Sequence, residues 1–201
     1  DPEQYVRRRE VPWVSAVLGP CYGSSSWYAA LSDFVVMRKG AELAVSSARV
    51  TSLAISEDID PQELGGWRLH AETTGMIDLA TESDEEALEA VGRFLSYLPS
   101  HHGEAPPRAA VPAGSETASA AMLDLVPEER QKTYDVHRVI EAMVDRESFF
   151  PLKGRFGRVA VTGLCRLDGH PVGIVANNPR VKGGAMDVDS CDKVTSFLVL
   201  C

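Results

Sequence analysis

The groups of this chain best suited to chemistry lie in its main chain. The stretch "GPCYGSSSWYAALSDF", residues 19–34, follows directly on the apolar run "VPWVSAVL" at 11–18. A chain that leaves a buried strand through two glycines, one proline and three serines exposes peptide N–H groups with little side chain in the way. A phosphate-binding P-loop would need a second glycine where Ser24 stands, followed by a lysine that is absent. A nucleophile elbow, G-x-S-x-G, fails at Gly23-Ser24-Ser25-Ser26-Trp27, which lacks the second glycine and an evident histidine partner. Spacing alone leaves two readings: a tight packing turn, or an oxyanion hole built from peptide donors at a helix start.

Side-chain candidates are sparser. Gly65, Gly66 and His70 in "LGGWRLH" precede Thr74-Gly75; a lone histidine beside Trp67 is more often a satisfied structural residue than a substrate contact. His101 and His102 read as solvated, and Asn177 and Asn178 as residues that satisfy a turn. The four cysteines, at 21, 165, 191 and 201, form no C-x-x-C pair and have no histidine at ligand spacing. Neither a metal site nor a disulfide framework is indicated, and a reduced, intracellular protein is the simplest reading.

These groups need elements to hold them. Residues 11–18 read as a buried strand and 24–32 as a short helix opening on small hydroxyl residues. "DFVVM", "ELAVS" and "MIDLA" read as strands and "RVTSLAI" as a helix, an α/β alternation. Ser83 with Glu86 predicts a capping box for "DEEALEAVGRFLSYL", with Ala87, Leu88, Val91, Leu95 and Leu98 on the apolar face. The segment "GEAPPRAAVPAGSETASAA" has too few large apolar residues to pack, which predicts a linker over 100–132 between domains at 1–99 and 133–201. The second domain opens with the helix "DVHRVIEAMVD", then "VAVTGLCRL" and "PVGIVANN" as a hairpin about Asp168-Gly169. A last helix runs from about Ser190, with Val194, Phe197, Leu198 and Cys201 on one face. Its apolar stripe reaches the last residue and the chain begins without methionine, which suggests a fragment of a longer polypeptide.

Twenty basic against 29 acidic residues give a net charge of −9, which repels nucleic acid. The only basic run, at 7–9, reads as a solvated face. No stretch approaches the ~20 apolar residues that span a bilayer, so no membrane partner is expected.

In several blocks and in order, the chain resembles the carboxyltransferase (β) subunits of biotin-dependent acyl-CoA carboxylases, the acetyl-CoA and propionyl-CoA carboxylase group. The blocks are "GPCYGSSSWYAALSDFVVMRKG", "EDIDPQELGGWRLHAETTGMIDLATESDEEALEAVGRFLSYLP", "YDVHRVIEAMVD", "VTGLCRLDGHPVGIVANNP" and "DVDSCDKVTSFL". The resemblance implies a crotonase-like (ClpP/crotonase) superhelical α/β fold in two related domains, both incomplete here. It implies carboxyl transfer from carboxybiotin to the α-carbon of an acyl-CoA, with the enolate held by the backbone N–H groups of Gly23 and Ser24. Cys21, Tyr22, Gly65, Gly66 and His70 would line the substrate side. Ser24 stands where the family commonly has a second glycine and Tyr22 where a small residue is usual, so pocket width and acyl preference do not carry over. The resemblance also implies a biotin carrier and biotin carboxylase as partners, a hexameric parent, no metal in this chain, and a cytoplasmic or, in a eukaryote, mitochondrial-matrix location. The second oxyanion hole, which serves biotin, belongs in the family to a later part of the second domain, so the chain alone is expected to be inactive. Two alternatives stand beside this: a non-catalytic CoA-binding or assembly homologue, and a decarboxylase α-subunit of the sodium-pump type.

Overall fold

Phe34, Val35, Val36 and Met37 are buried in succession, the signature of a strand covered on both faces. They belong to β3 (Phe34–Arg38), which a computed structural model of the chain places between β1 (Val14–Val17) and β5 (Leu79–Thr81) in a parallel sheet. Register runs from Val14 opposite Phe34 and from Val36 opposite Leu79. The structure describes residues 10–115, 119–129 and 131–201; the basic run at 7–9 and part of the proline- and alanine-rich segment lie outside it.

The described chain divides into two compact units, residues 1–95 with 100–104, and 96–99 with 105–201. In the first unit a second, two-stranded parallel sheet pairs β2 (Pro20–Tyr22) with β4 (Glu42–Ala44). Helices α1 (Ser24–Leu31), α2 (Ala48–Ile55) and α3 (Pro61–Gly65) connect these strands, and α4 (Asp84–Leu95) follows β5. The Ser83 hydroxyl accepts from the Glu86 N–H at 3.2 Å, as the capping box predicts, but the Glu86 carboxylate takes the N–H of Glu82. The buried face of α4 is Ala87, Ala90 and Phe94, with Phe94 stacked on Phe34 at 4.6 Å; Leu88 and Leu95 face solvent instead. Strand β5 starts later than "MIDLA" suggested, because Asp78 accepts the Val35 N–H with its carboxylate and donates its own N–H to the Val35 carbonyl.

The second unit is an antiparallel sheet of β6 (Phe150–Leu152), β7 (Ala160–Leu167) and β8 (His170–Asn177), with α5 (Val136–Met143) and α6 (Val188–Leu200). Asp168 and Gly169 both take positive φ, 50° and 76°, as a type I′ turn requires. Residues 105–110 lie with this unit: the Ala109 N–H donates to Gly169 and the Arg166 guanidinium to the Pro107 carbonyl. The buried face of α6 is Ser190, Lys193 and Phe197, with Leu198 exposed, so a lysine occupies the stripe assigned to Leu198. Helix α6 starts at Val188, two residues before the expected start, and is capped by Asp187 in a reciprocal box with Ser190.

Candidate functional site

Strands β2 and β4 set the glycine turn. They run in register, Pro20 opposite Glu42, Cys21 opposite Leu43 and Tyr22 opposite Ala44. At Gly23 the chain swings from β2 into α1 with φ 62° and ψ −129°, a conformation open to glycine and costly for a side-chain-bearing residue. The Gly23 N–H donates to the Val45 carbonyl at 3.0 Å, just past β4, and the Gly23 carbonyl accepts from the Ser26 N–H and hydroxyl.

Ser24 and Ser25 then occupy the first two positions of α1, where an N–H has no carbonyl one turn back to bond. No side chain caps this end, no acidic residue stands in the first turn, and both serines are exposed. A Cβ built on Gly23 would meet nothing within 4 Å, so the approach to the turn is open. Ser24 keeps the negative φ of a helix start, and replacing a glycine there leaves the peptide donor in place. Of the two peptides the resemblance points to, that of Ser24 lies at the helix start, whereas the Gly23 N–H is taken by Val45. The N–H beside Ser24 is that of Ser25.

The other candidates gather on β4. Tyr22 is half-buried and its hydroxyl donates to the Glu42 carboxylate on the neighbouring strand. Cys21 packs against the core of the first unit, and burial pushes its thiol above the ordinary range, away from a reactive thiolate. Gly65 lies directly on β4: a Cβ there would stand 2.5 Å from the Leu43 carbonyl oxygen and 3.1 Å from the Ala44 Cβ. Gly66 ends α3, donating to Gln62 with no room for a side chain between them. Gly65 serves close packing of α3 on β4, a role that needs the tertiary contact to be seen, whereas Gly66 closes the helix on its own last turn.

His70 is buried in a π-helical turn, Leu69–Thr73, closed by the Thr74 N–H on the Leu69 carbonyl. Its Nε2 lies 2.6 Å from the Leu43 carbonyl oxygen and its Nδ1 3.0 Å from Thr74 Oγ1. Burial lowers its proton affinity below that of an ordinary histidine. Of the remaining candidates, Asn178 bonds the Arg158 carbonyl and the Arg180 N–H, and His102 bonds Glu10 through its backbone. Among the described residues no group of three or more His, Cys, Asp or Glu could hold a metal ion, and no helix is long and apolar enough to cross a membrane.

The sequence matches the family model described as carboxyl transferase domain over residues 3–201. It is 37% identical over 192 residues to the propionyl-CoA carboxylase carboxyltransferase subunit of Haloferax mediterranei, covering 95% of this chain and 37% of that protein. It is 29% identical over 192 residues to the methylmalonyl-CoA decarboxylase α-subunit of Propionigenium modestum, again over 95% of this chain and 37% of that one. Among solved structures, the transcarboxylase 12S crystal structure, a hexamer assembly with hydrolysed methylmalonyl-coenzyme A bound, superposes with a TM-score of 0.86 at 32% identity, over 95% of this chain and 38% of that chain. The fold is therefore the crotonase-like α/β fold. The chain spans a little over a third of the length of these relatives.

Proposed function

Because the chain belongs to the carboxyl transferase domain family, we propose that it forms the acyl-CoA side of a carboxyltransferase site, in which the Ser24 and Ser25 peptides hold the thioester oxygen of a short acyl-CoA as it becomes an enolate. The observation that supports this is the open, uncapped start of α1 behind Gly23, with no acidic residue in the first turn of that helix. The positive end of α1 and two adjacent N–H groups stabilise the oxyanion more than the neutral carbonyl, which is the differential binding that lowers a barrier. Carboxybiotin reaches this site as a second substrate, on a biotin carrier loaded by a biotin carboxylase. The parent protein works as a homo-oligomer of the hexameric kind named for its structural relative, with domains at 1–99 and 133–201.

Acetyl-CoA and propionyl-CoA are both acceptors of the right class. A second reading, decarboxylation of a carboxylated acyl-CoA, is favoured by the decarboxylase relative and would use the same enolate donors in reverse.

The test is a pair of substitutions at Ser24 in the full-length protein, assayed with its carrier. Ser24→Ala keeps the peptide donor and is expected to hold turnover within about 3-fold, whereas Ser24→Pro removes one oxyanion donor and is expected to cost about 10²-fold in kcat. Proline fits the first position of a helix, and Gly23 already lies outside the α region that a following proline disfavours, so the fold should survive by circular dichroism. A folded Ser24→Pro protein with full turnover would overturn the proposal. Loss of turnover in Ser24→Ala alone would make the serine hydroxyl the active group.

A further inference from the structure

We infer that His70 is a positioning residue for the glycine turn: by holding the Leu43 carbonyl it fixes β4, the strand whose continuation at Val45 holds the Gly23 N–H. The inference rests on the reading of that turn as the oxyanion site and says what keeps the site in place.

Strand β4 is three residues long and pairs only with the equally short β2 in its sheet. A two-stranded sheet of this size is marginal by itself. What fixes β4 comes from the segment after it: Gln62 Nε2 donates to the Ala41 carbonyl at 3.2 Å, Gly65 lies on Leu43 and Ala44, and His70 Nε2 reaches the Leu43 carbonyl at 2.6 Å. The imidazole contact is the shortest of these hydrogen bonds and is buried.

Its polarity is fixed from both ends. The Leu43 carbonyl can only accept, so Nε2 carries the proton. On the other side, Thr74 Oγ1 receives the Met76 N–H at 3.2 Å and turns its own hydrogen to His70 Nδ1. A single directed chain therefore runs from Met76 N–H through Thr74 and the neutral imidazole to Leu43, and burial favours that neutral ring. Leu43 and Val45 are two residues apart, about 6.6 Å along a strand, so a shift of one carbonyl is passed to the other. Displacement of Val45 moves Gly23, and with it the Ser24 and Ser25 peptides that begin α1. An oxyanion site is sensitive to this, since a misplacement of about 1 Å can cost about 10²-fold in rate.

The experiment combines amide hydrogen exchange and steady-state kinetics on the full-length protein carrying His70→Phe, His70→Gln or Thr74→Val. His70→Phe removes the donor, and the Gly23 amide is expected to exchange about 10-fold faster or more, with the amides of β7 unchanged. His70→Gln restores an N–H toward Leu43 and should recover most of the protection. Thr74→Val leaves the bond to Leu43 in place while taking the hydroxyl from Nδ1 and from the Met76 N–H, and should give a smaller acceleration, which decides the matter if His70→Phe does not fold. Exchange at Gly23 within about 2-fold of wild type in His70→Phe, or in Thr74→Val where that variant decides, would overturn the inference, as would equal acceleration by Phe and Gln. Kinetics separate this from the reading of the turn: the accelerated variants should lose kcat while KM for acyl-CoA changes little. Faster exchange with unchanged kcat would keep the role of His70 and remove the oxyanion site.

Discussion

Gly23 and Val45 are joined by an N–H to carbonyl bond of 3.0 Å at a point where the Gly23 backbone stands at φ 62° and ψ −129°. The bond ties the swing from β2 into α1 to the end of the neighbouring strand, since Val45 lies just past β4. Because a Cβ here would meet nothing within 4 Å, Gly23→Ala adds strain without a clash. We expect it to lower stability by about 1–3 kcal/mol in urea denaturation of the chain. An unchanged midpoint would mean that the turn relaxes to a conformation alanine accepts.

Lys193 is 2% exposed and donates to three main-chain carbonyls, Lys153, Phe156 and Ala160, at 2.8–3.0 Å. It supplies donors for the β6–β7 connection, in which Lys153 and Gly157 take positive φ. Lys193→Met fills similar space but withdraws a donor from each of those oxygens, of which that of Lys153 keeps the Phe156 N–H, so a loss of about 2–5 kcal/mol is expected in chemical denaturation. Leu198→Ala on the same helix, 60% exposed, should change stability by less than about 0.5 kcal/mol. Comparable losses for the two variants would show that α6 packs through its apolar residues rather than through the ammonium.

Where a feature is local, the sequence carries it openly. Asp168-Gly169 specifies its turn, and Ser83 its helix start, because the bonds involved close within a few residues. The family resemblance likewise marks the glycine turn. Missing are the features that exist only through pairing across the chain: the short strand β2 hidden in the glycine turn, the contact of Gly65 with Leu43, and the engagement of the Gly23 N–H by Val45. The π-helical turn that aims His70 has no periodicity to announce it, and a buried lysine on α6 defeats a reading that equates burial with apolarity. Residues 105–110 offer little apolar surface, yet their backbone is held by Arg166 and Gly169.

That hold gives a proteolytic test within the second unit. Arg108 donates to the Asp168 carbonyl and carboxylate, while a Cβ on Gly169 would overlap the Ala109 carbonyl oxygen. Gly169→Ala therefore pushes residues 108–109 off the hairpin and places a side chain at φ 76°. Tryptic cleavage after Arg108 is expected to accelerate by about 10-fold or more relative to wild type, with β7–β8 still folded. Equal cleavage rates in the two proteins would show that this segment is held by something other than the hairpin turn.

The pH dependence of stability tests His70 independently of any activity. In the folded chain burial lowers its pKa below the ordinary 6.5, while in the unfolded chain the ring titrates as a free histidine. At pH values between the folded and unfolded pKa the unfolded state binds a proton that the folded state refuses, so stability rises with pH there. Above about pH 6.5 both states are neutral and the contribution is fully present; as pH falls below that value it is lost, until the folded ring protonates as well. The physical reason is that a charged ring gains a proton on Nδ1, which then competes with the hydrogen that Thr74 directs at it, in a site that disfavours charge. His70→Gln removes the titration while keeping an N–H toward Leu43. Thermal melts between pH 5 and pH 7 should therefore give a smaller rise of Tm with pH for His70→Gln than for wild type, and the two slopes should converge above about pH 7. Parallel slopes throughout would mean that His70 titrates alike in both states and that its ring is not held neutral between Thr74 and Leu43.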